Sequence, residues 1–440
     1  MGSFVPHTPE EIAELLAELG MSSLDELYES IPPPLRLGRA LDLPPALAEA
    51  EVLEEATRLA VRNQAARRDL VVFAGQGAYD HDVPAAVRAL ALQSAFVTAY
   101  TPYQPEVSQG VLQALFEFQT MVARLYGMDL ANASLYDGAA ATMEAVNLAL
   151  GATRRSRVVV SRGVHPRYRS TLATLGRGRG LVLEELELTE RLSTRFDGLE
   201  GEAAALVVGY PNALGHVEDL HAARRAADAV GALLVVVADP LACALVEPPG
   251  AYGADVVVGE GQGLGIPLSF GGPYLGLFAT RQQLVRLVPG RLVGETVDLE
   301  GRRGFVTTLR TREQDIRRER ATSNVCTNQT LLAIWAAIYL AWRGKRGLVE
   351  TARAGYDGAH YLAARLEAAG LRVRGRPFVN EFVVDLGVAA EPVRHRLLEE
   401  GYLAGTLVDD EPTWLLLAVT EARTREEIDA FSDRLIKEVA

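Results

Sequence analysis

Asp239 and Gln262 follow strands of a predicted sheet, at positions where such a sheet could bind a cofactor. Asp239 follows the apolar run 233–237, and Gln262 comes 23 residues later, in the loop between strands predicted at 256 and 274. An acid at a strand end, with a lysine roughly 20 to 30 positions on, is how sheets of this kind hold pyridoxal phosphate: the acid pairs with the pyridinium nitrogen and the lysine forms the Schiff base. A glutamine amide cannot condense with an aldehyde. This site therefore cannot make the covalent link.

Lysine is nearly absent from the rest of the chain as well. Of the 44 basic residues only Lys345 and Lys437 are lysines. Lys345 lies in a glycine- and arginine-rich turn after an apolar helix, and Lys437 lies in the final predicted helix. Both positions predict solvated surface charges, whereas a Schiff-base lysine needs a desolvated site that lowers its pKa. If the chain takes part in pyridoxal phosphate chemistry, the reactive amine must belong to another molecule.

Other candidate groups around this predicted site are weaker. His165, after the strand predicted at 158, is placed to stack on a pyridine ring, although a lone histidine is more often structural. The glycine runs 259–265 and 271–273 suit phosphate binding and tight turns equally well. His216 and His221 are five residues apart without a third ligand nearby, so we expect no metal site.

A first polar run, residues 98–110, carries the densest set of polar and aromatic side chains. Pro102 and Pro105 prevent a helix through it, so its groups lie on a fixed loop. Such a loop positions groups for binding or catalysis rather than filling a core. A surface turn that caps the following helix is the alternative. The candidate catalytic residues of this run are Tyr100, Tyr103, Gln104, Glu106, Ser108 and Gln109.

A second polar run, residues 322–329, immediately precedes a long apolar helix. Hydroxyl and amide side chains at a helix start, together with free backbone N–H groups, form an anion site, and ordinary capping is the alternative. The candidate anion-binding residues are Thr322, Ser323 and Asn324. Upstream, the paired charges of residues 311–320 predict a helix.

Composition limits the classes of protein that remain. The 440 residues are 49% hydrophobic and carry a net charge of −13, and no basic block is long enough to bind nucleic acid. Cys243 and Cys326 are the only cysteines, which favours a reducing compartment. The longest apolar run, 331–342, is 12 residues, too short for the roughly 20 that span a bilayer. No secretory signal is visible, so we expect a cytoplasmic protein without membrane segments.

The elements that must position these groups follow from the hydrophobic pattern. Residues 1–70 predict an N-terminal helical arm, which begins at the capping box of Thr8 and Glu11. Residues 71–327 alternate helices with short, fully apolar strands, the pattern of a mostly parallel, doubly wound α/β sheet. Residues 328–440 predict a linking helix and a small α+β domain. The strands expected in the large domain are 158–160, 205–208, 233–237, 256–258 and 274–278.

Both polar runs, together with the segments 253–259, 265–267 and 270–273, closely resemble the glycine cleavage system P-protein family, that is, glycine dehydrogenase (decarboxylating). The match is to the N-terminal half of the single-chain form, which corresponds to the alpha subunit (subunit 1) of the two-subunit form. Residues 100–110 and 311–328 look nearly identical to the corresponding segments of the family, and residues 130–135 resemble it as well. The resemblance covers most of the chain and weakens after about residue 345.

The resemblance implies a fold-type I pyridoxal phosphate architecture and an α2β2 heterotetramer, in which the beta subunit holds the cofactor lysine. It also implies the reaction: glycine is decarboxylated and its aminomethyl group passes to the lipoyl arm of the H-protein. On this basis we expect the candidates of the first polar run to face glycine and the lipoyl sulfurs. Thr322, Ser323 and Asn324 would touch the phosphate of the partner's cofactor, while His165, Asp239 and Gln262 would line a vestigial pocket.

Two other classes of function stay open on the sequence. A non-catalytic scaffold that only stabilises the beta subunit predicts that the first polar run is distant from any cofactor. A self-sufficient pyridoxal phosphate lyase or aminotransferase would have to use Lys345 or Lys437. Enzymes with histidine at the Schiff-base position are a variant of this class, and Gln262 argues against it.

Overall fold

The computed structural model describes residues 7–440 in two compact units, the first ending at Asn63 and the second being Gln64–Ala440. The first six residues of the expected arm lie outside the described range. In the first unit, α1 (Pro9–Glu18) begins at a complete capping box, in which the Glu11 N–H donates to Thr8 Oγ1 at 3.2 Å and the Thr8 N–H to Glu11 Oε2 at 2.7 Å. The second helix is α2 (Glu49–Ala60). Neither helix contains a buried residue, so the described part of this unit has no core of its own.

The second unit opens with one short strand and three helices before its main sheet. Strand β1 (Val71–Val72) is followed by α3 (Ala85–Ala91), α4 (Ser94–Val97) and α5 (Gln109–Tyr126). The first polar run lies between α4 and α5. It contains no α-helix except the first two residues of α5, as its two prolines predict.

A seven-stranded sheet forms the centre of this unit. Its strands are β2 (Leu130–Ala131), β3 (Arg157–Ser161), β4 (Val182–Leu186), β5 (Ala205–Tyr210), β6 (Leu233–Ala238), β7 (Val256–Glu260) and β8 (Gly276–Thr280). Their order across the sheet is β2, β8, β7, β6, β5, β3, β4. All neighbours are parallel except the two pairs made by β8, which runs antiparallel to β2 and β7. The predicted mostly parallel, doubly wound sheet is confirmed.

Helices cover both faces of the sheet, which explains why its strands are apolar throughout. The connecting helices are α6 (Gly138–Thr153), α7 (Pro166–Gly176) and α8 (Leu220–Ala229). In β5, Leu206 and Val208 pack into the cluster that contains α5 and α8, while Ala205 and Val207 pack into the cluster that contains α6 and α7. The strand is therefore buried on both sides, as parallel strands normally are.

Beyond the sheet, one sequence expectation fails. A hairpin of β9 (Leu292–Val297) and β10 (Arg303–Thr308) leads into residues 309–320. The predicted helix over 311–320 is instead three short turns, of which only α9 (Gln314–Arg317) is α-helical. Leu309 and Arg318 adopt positive φ angles of 54° and 53°. Because the left-handed conformation interrupts a helix, the charge pairs of this segment are not enough to keep it helical.

The C-terminal part combines one long helix with a small antiparallel sheet. Helix α10 (Thr330–Ala368) is kinked at Gly344, whose φ is 59°. After it come β11 (Arg372–Arg374), β12 (Glu381–Asp385), α11 (Ala390–Glu399), β13 (Tyr402–Leu403), β14 (Thr406–Val408), β15 (Glu411–Ala418) and α12 (Arg425–Val439). Strand β13 pairs with β1, and the other four form a sheet in the order β11, β12, β15, β14. Within residues 7–440 no helix has the length and apolarity needed to cross a bilayer.

Candidate active site

The aromatic side chains of the first polar run face outward from the chain. Tyr100 is 78% exposed and Tyr103 is 53% exposed. Gln104 and Glu106 are also exposed, and neither side chain makes a hydrogen bond within the described residues 7–440. Exposed phenol, amide and carboxyl groups on a loop without a core function are available to a molecule outside this chain.

Gln109 and Ser108 hold the base of this loop. The Gln109 Nε2 donates to the carbonyls of Pro105 at 2.7 Å and Phe305 at 2.8 Å, and its Oε1 accepts from the Phe305 N–H at 2.8 Å. Ser108 is the N-cap residue of α5, and its carbonyl accepts the Leu112 N–H. The amide of Gln109 is thus fully used in tying the loop to β10, which makes it a residue that positions the loop.

The second polar run lies between α9 and α10. Ser323 Oγ accepts the Val325 N–H at 3.0 Å, and the Thr322 carbonyl accepts from Arg179 at 2.9 Å. Asn324 is exposed. Gln329, the N-cap residue of α10, makes no side-chain cap. The cap position of α10 therefore uses no side chain, while the Ser323 hydroxyl is engaged by Val325 and by the buried carboxyl of Glu144.

Arg312 lies beside this run and was not among the predicted residues. It lines the same small cavity as Thr322 and Ser323. Its guanidinium donates to the Val288 carbonyl, while Nε and Nη2 are buried and have no partner among residues 7–440. Burial lowers the pKa of Arg312, because desolvation disfavours its charged form. Donors left unpaired in this way require an acceptor from outside the chain.

Arg291 joins the two polar runs, and no pattern in the sequence singled it out. Its side chain is almost fully buried, with 4% exposure. One guanidinium nitrogen, Nη2, donates to Tyr103 Oη at 3.3 Å and to the Cys326 carbonyl at 2.9 Å, while Nη1 donates to Asn328 Oδ1 at 2.8 Å. The guanidinium carbon also lies 5.4 Å from the centre of the Tyr103 ring. The two runs, more than 200 residues apart in the chain at Tyr103 and Asn328, therefore meet at one arginine.

The segment 130–135 belongs to the same junction. Asn328 Nδ2 donates to the Ala133 carbonyl at 2.9 Å and to Ser134 Oγ at 3.0 Å, and the Ala133 N–H donates to the Arg291 carbonyl at 2.9 Å. The two polar runs and the segment 130–135 are thus joined by hydrogen bonds at one buried junction. We call the exposed side of the two runs the polar wall.

A separate pocket lies at the carboxyl ends of the sheet strands; of the predicted vestigial residues, His165 and Asp239 line it, whereas Gln262 is buried beside it and is not part of its lining. We call it the sheet-edge pocket. Gln262 is 1% exposed, and its amide is fully engaged: Oε1 accepts the Tyr79 N–H at 2.9 Å, and Nε2 donates to the carbonyls of Tyr79 at 3.1 Å and Ile266 at 2.8 Å. The residues that line the pocket include Tyr79, His81, His165, Tyr168, Asp239, Glu260 and Glu381.

The amino end of α6, where an anion would be held, is occupied by the chain itself. The Gly138 N–H, at the helix start, donates to Glu260 Oε2 at 2.9 Å, and the other Glu260 oxygen accepts the N–H groups of Gln262 and Leu275. The Tyr168 hydroxyl packs so closely on Gly138 that a Cβ there would lie 2.1 Å from it. A helix start attracts anions such as phosphate, and here a carboxylate takes that place.

The sheet-edge pocket therefore does not fit pyridoxal phosphate. Its free volume is about 80 Å³, whereas sites for small organic ligands enclose roughly 300–1,000 Å³. Its lining includes three carboxyl groups, those of Asp239, Glu260 and Glu381. Glu260 takes the N–H group at the helix start that a phosphate would need. The glycine run 259–265 does not cradle phosphate either, because the N–H groups of Gly261 and Leu264 donate to protein carbonyls.

His165 and Asp239 are engaged in local structure. His165 caps α7: its Nδ1 accepts the Arg167 N–H at 3.0 Å, which leaves Nε2 to donate to the Gln76 carbonyl at 2.9 Å. Burial lowers the pKa of His165, in keeping with a neutral ring. Asp239 Oδ1 accepts the N–H groups of Leu241 and Ala242, and burial raises the pKa of its carboxyl.

The other two carboxyls of this pocket also have raised pKa values. Burial raises the pKa of Glu381 to about 8 and that of Glu260 to about 7, from an ordinary value of 4.5. Glu381 accepts from the Gln76 N–H at 2.6 Å and from the Tyr79 hydroxyl at 3.0 Å. The folded chain thus holds protons that the unfolded chain has released between about pH 4.5 and 8. These two groups therefore stabilise the fold fully below about pH 4.5, and this stabilisation is lost as the pH rises through their pKa values of about 7 and about 8 in the folded chain.

Glu381→Gln is expected to flatten this pH dependence. Glutamine keeps the shape of the side chain and removes the ionisable group. The change in the free energy of unfolding caused by the substitution should therefore be more favourable at pH 8.5 than at pH 5, by on the order of 1–2 kcal/mol. Urea unfolding of both proteins between pH 5 and 8.5 measures this difference. Glu54→Gln, at an exposed position of α2, is the matched control. An equal slope for wild type and Glu381→Gln would contradict the prediction.

Neither lysine is placed to form a Schiff base. Lys345 directly follows the kink at Gly344 and is exposed, and Lys437 is exposed on α12. Both predictions of surface lysines are confirmed. Across residues 7–440, no group of three or more histidine, cysteine or acidic side chains is arranged to hold a metal ion.

The sheet order with its single antiparallel strand, the small C-terminal domain and the pocket at the strand ends define a fold-type I pyridoxal phosphate enzyme architecture. Solved structures with this fold include mouse CSAD, with a TM-score of 0.69 and 14% identity over 95% of this chain and 92% of that one. A second is a sphingosine-1-phosphate lyase of Burkholderia pseudomallei, with a TM-score of 0.67 and 17% identity over 93% and 94% of the two chains.

The chain belongs to the glycine cleavage system P-protein family, whose model matches residues 2–435. A probable glycine dehydrogenase (decarboxylating) subunit 1 of Chloroherpeton thalassium is 47% identical over 98% of this chain and 99% of its own. A probable glycine dehydrogenase (decarboxylating) subunit 1 of Geobacillus kaustophilus is 46% identical over 98% of both chains. A crystal structure of glycine decarboxylase (P-protein) in an inhibitor-bound form matches with a TM-score of 0.91 and 48% identity, over 99% of this chain and 100% of that one. The resemblance stated from the sequence is confirmed.

Proposed function

We propose that this chain is the alpha subunit of a two-subunit glycine dehydrogenase (decarboxylating), and that it completes an active site whose cofactor is held by a beta subunit. In the proposed α2β2 complex, glycine is decarboxylated and its aminomethyl group passes to the lipoyl arm of the H-protein. The complex works in the cytoplasm. The observation that carries the proposal is a contrast within this chain: Glu260 occupies the helix start in the sheet-edge pocket, whereas the polar groups of Tyr100, Tyr103, Gln104 and Glu106 in the first run are exposed.

Pyridoxal phosphate, when bound, supplies an electron sink for the electron pair left behind as glycine loses carbon dioxide. The polar wall of this chain covers that site and excludes water, which strengthens the electrostatic interactions inside it. Tyr100, Tyr103, Gln104 and Glu106 face the substrate and the lipoyl sulfurs, while Ser108 and Gln109 fix the base of the loop. The two unpaired donors of Arg312 support an anion beside the second polar run.

Thr322, Ser323 and Asn324 contact the phosphate of the partner's cofactor in this proposal. Their hydroxyl and amide groups lie at the approach to α10, and the cap position of that helix uses no side chain. Hydroxyl and amide donors of this kind, added to backbone N–H groups, suit a phosphate.

The first unit supports a heteromeric assembly. Its helices α1 and α2 carry apolar side chains such as Leu15 and Leu53, yet none of their residues is buried. A segment with apolar faces and no core of its own gains stability by packing on another surface. We assign that surface to the beta subunit.

Reconstitution tests the proposed function. The purified chain is assayed alone and with the beta subunit, lipoylated H-protein and pyridoxal phosphate, using the exchange of glycine carboxyl carbon with bicarbonate. We expect exchange only with both subunits, and borohydride reduction followed by mass spectrometry should place the pyridoxyl group on the beta subunit alone. Exchange by the isolated chain, or a pyridoxyl group on Lys345 or Lys437, would refute the proposal in favour of a self-sufficient enzyme.

A further inference from the structure

Arg291 is buried, and its guanidinium is held mainly by hydrogen bonds to uncharged acceptors. It follows Gly290, which has a positive φ of 65°, and it immediately precedes β9. Within residues 7–440 Arg291 forms no ion pair; burial raises the pKa of the nearby Glu313 carboxyl, and the charges of Arg312 and Arg291 oppose that rise. A buried charge without a close counter-ion is costly, so its hydrogen bonds must repay the loss of water.

Those hydrogen bonds connect both halves of the polar wall. The guanidinium reaches Tyr103 Oη in the first run and both the Cys326 carbonyl and Asn328 Oδ1 in the second, at 3.3, 2.9 and 2.8 Å. Thr327 Oγ1 is a further acceptor at 3.5 Å. The planar fork of arginine can serve acceptors on separate loops at once, whereas the single ammonium of lysine cannot reproduce that geometry.

We propose that Arg291 is a positioning residue that locks the two polar runs into one wall. It acts through Tyr103 and Asn328 and does not itself need to touch the substrate. Among the described residues no other single residue connects the two runs through side-chain hydrogen bonds, so removal of the fork should loosen both together. The consequence for turnover rests on the proposed function, but the mechanical coupling is a property of this chain alone.

Hydrogen exchange on the full-length chain tests the coupling without any cofactor. Arg291→Lys retains the charge and loses the fork, and we expect amides in 100–107 and in 322–328 to exchange about tenfold faster. Arg281→Lys is the control: Arg281 is partly buried, donates to the carbonyls of Ala254 and Gly250 and lies 3.7 Å from Asp129 Oδ1, away from both runs. It should leave both runs unchanged. Faster exchange in one run only, or in neither, would overturn the inference.

A second variant covers the case in which Arg291→Lys does not fold. Tyr103→Ala removes an exposed ring and its hydroxyl, which accepts a hydrogen bond from Arg291; the ring also faces Arg310, which lies outside both runs. Faster exchange in 322–328 of this variant supports the inference, and a change confined to 100–107 overturns it.

The α2β2 complex provides a separate readout. A spectral titration of the apo complex with pyridoxal phosphate should show about tenfold weaker binding with Arg291→Lys, and the KM for glycine should rise, because both runs shift together. Arg281→Lys should change neither value. If the wild-type complex itself shows no glycine exchange, the proposed function fails; if it is active and Arg291→Lys leaves cofactor affinity and KM unchanged, this inference fails.

Discussion

Gln262→Lys alone is expected to leave the chain unable to bind pyridoxal phosphate covalently, although it restores an amine at the sequence position where such enzymes carry one. The substitution breaks the three hydrogen bonds that Gln262 makes with Tyr79 and Ile266. It also leaves Glu260 on the amino end of α6 and the free volume near 80 Å³. The phosphate therefore still has no place, and a lysine beside carboxylates stays protonated and unreactive.

The double variant Gln262→Lys with Glu260→Ala frees the Gly138 N–H and removes one carboxylate from the pocket. After borohydride reduction, mass spectrometry should detect at least about tenfold more pyridoxyl adduct than in the single variant, equivalent to about 1.4 kcal/mol. Glu260→Ala alone is the control, because it opens the helix start without supplying an amine. Efficient labelling of the Gln262→Lys single variant would contradict the prediction. It would show that the missing lysine, and not the position of Glu260 at the start of α6, prevents covalent binding of pyridoxal phosphate in this pocket.

Tyr103→Ala and Glu106→Ala are each expected to lower glycine turnover of the α2β2 complex by about 100-fold, the order of loss that follows misplacement of reacting groups. Both side chains are exposed in this chain, and Glu106 makes no internal hydrogen bond in the described residues, so assembly should be unaffected. Turnover is measured by bicarbonate exchange, and assembly by the sedimentation of the complex.

Gln113→Ala is the matched control for these two variants. Gln113 is also exposed and polar, but it lies on α5, where its amide bonds only to Glu117. It should retain wild-type turnover. Wild-type rates for Tyr103→Ala and Glu106→Ala would remove these residues from the active site. A loss of stability without a loss of turnover would favour the scaffold function instead.

Local signals in the sequence were enough for much of the fold. The capping box at Thr8 and the apolar strands of the sheet were predicted because each depends on residues close together in the chain. The prediction of a helix over 311–320 was wrong. Its charges favour a helix only weakly, and Leu309 and Arg318 adopt positive φ angles that are incompatible with a continuous helix.

The junction at Arg291 shows where prediction from sequence stops for the candidate site. Both polar runs were recognised by their side chains, yet nothing in the chain between Tyr103 and Asn328 indicates that one arginine joins them. Arginine is abundant here, so residue type carries no information. Its role depends on burial and on three acceptors that only folding brings together.

The sequence by itself determined which amine is missing: the chain has only two lysines, and Gln262 stands at the position where a sheet of this kind carries one. That conclusion needs no coordinates, because it depends on a functional group that is absent at that position. Only the tertiary structure decided which group lies at the start of α6 and which residue joins the two polar runs. Glu260 reaches the start of α6, and Arg291 reaches two distant loops, because hydrogen bonds and burial act between residues that are neighbours in space and not in the chain.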